Sequence, residues 1–246
     1  ALTMLLESLG RAPEGSWGAE TLAGAVLEEI HGRLSEFSPR QLASIVRCLG
    51  HFQASPMVLK LLLDRAVEVA TSEDAAEPFM PRHVAMLCQG IAQQPAELNP
   101  EARLEGLLPL ITQALDSRPT AVTCVQLVAG LSRCVATPSR DIALASCAER
   151  LAARVHDLSA PSLVSLSSSL AALSPWVAPG DLLGRVALQL DIKRYDLAPG
   201  ALGRAERALR RAGLGDQVEL RLEPYDLETK VKPGMGWRRS WTPAQK

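Results

Sequence analysis

Aromatic residues are scarce in this chain: three Phe, two Tyr and four Trp give 4% of 246 residues. Leu and Ala supply the apolar content instead, a helix-rich composition in a chain long enough to bury a sizeable core as one long domain or two. No window of eighteen residues is uninterruptedly apolar, so no membrane span is expected, and no signal-peptide pattern stands in the residues given. Cysteine is sparse and odd in number, at Cys48, Cys88, Cys124, Cys134 and Cys147, with no CxxC pair. That argues against a disulfide framework and against zinc, and fits a reducing compartment. The four histidines, His31, His51, His83 and His156, are dispersed, and none pairs with a Cys or Asp at ligand or triad spacing. P-loop, GxGxxG and GxSxG motifs are missing. The chain therefore reads as a non-enzyme, with no metal, no cofactor and no small-molecule substrate.

What the sequence does contain is repetition. "LTMLLESLGR" from residue 2 aligns with "LASIVRCLGH" from 42, "VAMLCQGIAQ" from 84, "CVQLVAGLSR" from 124, "LVSLSSSLAA" from 163 and "LGRAERALRR" from 202. Three columns are apolar at helical spacing. They are headed by Leu2 and Leu42, by Leu5 and Ile45, and by Leu9 and Leu49, which marks an inward helical stripe. The column just before Leu49 holds Ser8, Cys48, Gly90, Gly130, Ser169 and Ala208, all small. A small residue kept at one helical position lets a neighbouring helix approach closely.

A second helical pattern follows each of the first five copies, over 23–34, 56–70, 100–115, 139–155 and 179–190. Ser55-Pro56 and Asn99-Pro100 supply an acceptor at the cap and proline at the first helical position. Links such as "DSRPT" and "ALSPWVAPGD" carry the turn residues. The expected fold is all-α, an α-solenoid of about six helix–turn–helix repeats of roughly 40 residues over 1–212. An irregular, basic C-terminal extension is expected over 213–246, with "QVELRLEPY" its one strand-like stretch.

"FSPRQLASIVRCLG" from Phe37 and "FMPRHVAMLCQGIA" from Phe79 share an aromatic, a proline start and a Leu/Val-Ala-x-Ile/Leu helix, and "LSAPSLVSLSSSLAAL" is a looser copy. This wording resembles the first helix of the octotricopeptide and heptatricopeptide repeats of organellar proteins, which are related to FAST-kinase-like proteins. The resemblance covers about residues 1–212. The units are slightly long for the family, and the small C-terminal module such proteins often carry is missing. The resemblance implies a protein of the mitochondrial matrix, or alternatively of a plastid. It implies work on RNA, as a structural ribosomal subunit or as a free RNA-maturation factor.

Charge is uneven. The net value is −1, yet residues 1–79 sum to −5 and residues 198–246 to +4, so a polyanion would meet the C-terminal end. A polar face runs along the first helices, at two after, two before and five before the Leu49 position. It includes Arg133, Arg204, Arg207 and Arg211, and Arg210 lies beside it. The tail adds Lys230, Lys232 and Trp237-Arg238-Arg239-Ser240-Trp241, two indoles around two guanidiniums. These residues are the candidate RNA contacts, by base stacking and phosphate pairing. The competing reading is a solvated amphipathic face, favoured by Glu7 and Ala129 within the stripe and by the lack of stacking aromatics. On that reading the chain is a protein-binding scaffold or accessory subunit of another mitochondrial complex.

Overall fold

The computed structural model describes residues 2–9, 18–49, 56–72, 77–94, 100–173 and 180–214. Among them the regular structure is entirely helical. The first-type helices are α1 (Leu2–Leu9), α3 (Pro39–Leu49), α5 (Pro81–Ala92), α7 (Ala121–Leu131), α9 (Ala160–Leu170) and α11 (Pro199–Arg211). Alternating with them are α2 (Ala19–Gly32), α4 (Pro56–Thr71), α6 (Pro100–Asp116), α8 (Pro138–Ala152) and α10 (Gly180–Ile192). Each first-type helix packs on the next one in its series, from α1 through to α11. The second-type helices do likewise from α2 through α10, and each pairs with the first-type helix before it. One continuous core runs between the two series, built from Leu, Ile, Val, Ala and Cys.

The seam between first-type helices explains the column of small residues. A Cβ on Gly90 would overlap the Val46 carbonyl of the preceding helix, coming within 2.6 Å of its carbon. A Cβ on Gly130 would lie 2.9 Å from Cys88 Cβ and 3.0 Å from the Gln89 nitrogen. Both partners stand three residues before the Leu49 position of their own helices, so the two seams share one register. The residues in that column, Leu6, Val46, Cys88, Val128 and Ser167, are all buried.

Caps start the helices. Ser38 N–H donates to Gln41 Oε1 at 2.9 Å while Gln41 N–H reaches Ser38 Oγ at 3.4 Å. In α5 the same place is taken by His83, whose Nδ1 accepts the Met80 N–H at 3.2 Å. Thr120 and Thr137 accept from the backbone of Thr123 and Arg140 at the starts of α7 and α8. The expected caps Ser55 and Asn99 lie outside the described residues, as does "QVELRLEPY". At the far end Gly213 has φ +82, and the Leu214 N–H donates to Leu209 O at 2.9 Å, closing α11.

Two second-type helices end earlier than their apolar pattern predicts. The periodicity runs through residue 155, but α8 stops at Ala152 and the chain tightens into a 3₁₀ turn, Val155–Asp157. Equivalent turns follow α2 (Leu34–Glu36) and α10 (Arg194–Asp196). His156 is therefore in a turn, with Nε2 3.2 Å from Asp157 Oδ1 on the surface, a pairing that spacing alone did not suggest.

Candidate nucleic-acid interface

The basic end of the molecule is α11. Pro199 starts it, and Leu202, Ala205, Ala208 and Leu209 are buried against α9 and α10. That leaves Arg204, Arg207, Arg210 and Arg211 on the opposite side, all exposed. Arg210 donates to Glu206 at 2.7 Å. No hydrogen bond or ion pair engages the guanidinium of Arg204, Arg207 or Arg211 among the described residues. Three cations at i, i+3 and i+7 thus share one open helical face. Arg210 and Arg211 also sit in the last turn, where positive charge suits the helix dipole, so helix stability accounts for part of their presence.

The polar face followed backward along the series is uneven. At two after the Leu49 position, Gln93, Arg133, Ala172 and Arg211 are all exposed. At two before it, Glu7, Arg47, Gln89 and Ala129 are half-buried, and only Ser168 and Arg207 are open. At five before, Ser44 departs from the expected open face. It is buried in the α1–α3 seam, where its hydroxyl donates to the Glu7 carboxylate. Only the two-before column is half-buried from α1 to α7 and open at α9 and α11; at five before, Met4 and Gln126 are exposed as well. The exposed cations on this face are concentrated in α11, with Arg133 an isolated one farther back. Lys230, Lys232, Trp237, Arg238, Arg239 and Trp241 lie outside the described residues.

All five cysteines are buried and free. Burial pushes the Cys134 thiol up to about 11. It also raises Cys88; at Cys147 the hydrogen bond with Cys124 comes first and burial second in raising the thiol, and the same bond lowers Cys124. The raised thiols of Cys88, Cys134 and Cys147 are protonated at neutral pH and are poor nucleophiles. Among the described residues no three His, Cys, Asp or Glu side chains converge as a metal site requires. No described helix is long and apolar enough to cross a membrane.

Two basic features escaped the sequence reading because they are structural. Arg140 is buried, with Nη1 on the Cys134 carbonyl at 2.8 Å and Nε and Nη2 on Asp141 Oδ1 at 2.9 and 2.7 Å. It ties the α7–α8 turn. A recurring basic residue three before an acid marks the 3₁₀ turns: Arg33 with Glu36, Arg154 with Asp157, and Lys193 ahead of Asp196. Aligned on the turns rather than the helices, that pattern was findable. Neither a protein-family model nor a curated protein matches this chain.

Proposed function

We propose that the chain is an α-solenoid of six repeats of about 40 residues. It acts as a non-enzymatic subunit of an organellar ribonucleoprotein, a mitochondrial ribosome in the first instance, and contacts RNA through its basic C-terminal end. The observation that carries this reading is the open face of α11, where Arg204, Arg207 and Arg211 stand exposed and unpaired among the described residues. An exposed guanidinium with no carboxylate neighbour is free to take a phosphate, and Arg does so with two parallel hydrogen bonds. The buried body supplies a rigid support rather than chemistry.

The half-buried polar columns near α1 and α3 favour a second reading for that half of the molecule: contact with protein rather than RNA. The acidic balance of residues 1–79 supports it, since like charge repels phosphate.

The test is binding of a fluorescent single-stranded RNA to the full chain across a salt series. Counterion release gives a slope of about −0.7 in log K against log salt per phosphate neutralised. The variant with Arg204, Arg207 and Arg211 all changed to Gln is expected to weaken binding and flatten the slope by about 2. An unchanged slope in that variant contradicts the assignment of α11.

A further inference from the structure

We propose that Cys124 and Cys147 are a reversible oxidation site, a dithiol that peroxide converts to a disulfide joining α7 to α8. Cys124 stands near the start of α7, and Cys147 stands in α8, the helix that packs on it. The two thiols are hydrogen-bonded to each other, and both residues are buried, at 1% and 0% exposed. Cysteines on separate helices can bridge only where their Cβ vectors converge, and thiols in hydrogen-bond contact meet that condition. Other cysteines are engaged differently. Cys134 Sγ donates to the Gly130 carbonyl at 3.5 Å, and Cys88 packs its Cβ under Gly130.

Packing alone does not call for sulfur at this place. In the first series the position of Cys124 is held by Leu2, Leu42, Val84, Leu163 and Leu202. Seven before Arg33, Arg154 and Lys193 stand Val26, Cys147 and Val186. Leu163 and Val186 are both 0% exposed, so aliphatic residues fill the same two positions one repeat later. A buried thiol packs much as they do and differs from them in its reactivity. One labile bond is also distinct from the disulfide framework that the odd cysteine count argues against.

The two sulfurs are unequal. The bond with Cys147, helped by Arg150 and Arg154 and opposed by burial, holds Cys124 below the ordinary thiol range. Cys147 is held above it by the same bond and by burial. Cys124 is therefore the attacking sulfur and Cys147 the resolving one. Cys124 attacks an oxygen of hydrogen peroxide, the O–O bond breaks, and a sulfenic acid forms as one water leaves. The Cys147 sulfur then attacks the Cys124 sulfur, the S–O bond breaks, and a second water leaves. Two thiol hydrogens and two electrons pass to the peroxide, which ends as two waters. A small dithiol reverses the change. Because both sulfurs are buried, reaction waits on local opening of the α7–α8 pair. Once closed, the bond spans the 22 residues between the two cysteines and restricts the unfolded chain.

The experiment treats the folded full chain with hydrogen peroxide, without denaturant. The chain is then unfolded, alkylated and mapped by mass spectrometry. Three alkylated cysteines instead of five are expected, with Cys124 linked to Cys147, and dithiothreitol should restore all five. The oxidised chain should unfold at a higher urea midpoint. Cys147→Val, which places the residue of α10 at this position, should form no cross-link and leave Cys124 as a sulfenic acid that dimedone traps. Cys124→Ala should leave Cys147 reduced. Five alkylated cysteines after peroxide, a bond between other cysteines with these two left reduced, or equal loss of the Cys147 thiol in Cys124→Ala would overturn the proposal. Binding of RNA at α11 is independent of either outcome.

Discussion

Gly90 and Gly130 sit where two helical backbones meet, and a methyl group there has nowhere to go. Gly90→Ala meets backbone at Val46 and Gly130→Ala meets Cys88 Cβ and backbone, so the first is expected to cost more. Overpacking of this type costs about 1–3 kcal/mol. Gly184 is the control: it is inside α10 with nothing within 4 Å of an added Cβ, and Gly184→Ala should stabilise by about 0.8 kcal/mol. Urea unfolding of the three variants checks the order. The column of small residues was legible in the sequence because six copies of one helix could be laid side by side. Its uneven use was not, since Ser8 belongs to the column yet is exposed, while Gly90 and Gly130 meet a neighbouring backbone.

His83 makes a second prediction at the same scale. It is buried, and burial, with Arg82 and Arg40 nearby, lowers its pKa from the ordinary 6.5. The unfolded chain therefore takes up a proton first as pH falls. Stability contributed by neutral His83 is intact above the ordinary value and declines as pH drops from there toward the lowered folded value. His83→Gln should remove that part of the decline while keeping an acceptor for the Met80 N–H, as Gln41 does for Ser38. Unfolding measured from pH 7.5 to 5 in both proteins reads the difference. Sequence spacing marked His83 only as a histidine without a ligand partner, because a side chain bonded to backbone leaves no spacing signature.

Among elements, the ends of the second-type helices carry specific inter-unit ties. Lys193 Nζ donates to the carbonyls of His156 and Leu158 at 2.9 and 2.6 Å, and Arg185 Nη1 donates to Ala152 O at 3.1 Å. These bonds satisfy carbonyls that the end of α8 and its 3₁₀ turn leave over. Lys193→Met keeps the aliphatic stem and loses the donors, and is expected to cost about 1–2 kcal/mol. Faster amide exchange in 155–158, with little change in α3 or α5, would localise the loss. The helices themselves were readable: first-type windows, second-type windows and the proline starts at 56 and 100 fall where the elements form. α6 even continues through Pro109, which the burial of Leu104, Leu107, Leu110 and Ile111 sustains. The 3₁₀ turns were not readable from hydrophobic period, because spacings of three serve both helix types.

For the whole molecule, the two ends differ in kind. One offers Met4, Leu5 and Leu22 to solvent, and the other ends in Glu206, Arg207, Arg210 and Arg211. The charge asymmetry that separates them was visible in the sequence as a −5 segment and a +4 segment. The sequence could not show that Ser44 leaves the polar stripe for the interior, since Ser44 and Glu7 meet only when α1 packs on α3.

The central claim, membership of a ribonucleoprotein, is tested most directly by sedimentation. The tagged full chain, in an organelle lysate, is run on a sucrose gradient with and without ribonuclease. The account predicts that it travels with a large RNA-containing particle and falls to light fractions after ribonuclease, with Arg204, Arg207 and Arg211 changed together to Gln weakening the association. Migration in a ribonuclease-resistant complex away from ribosomal RNA would contradict it and leave a helical scaffold that binds protein alone.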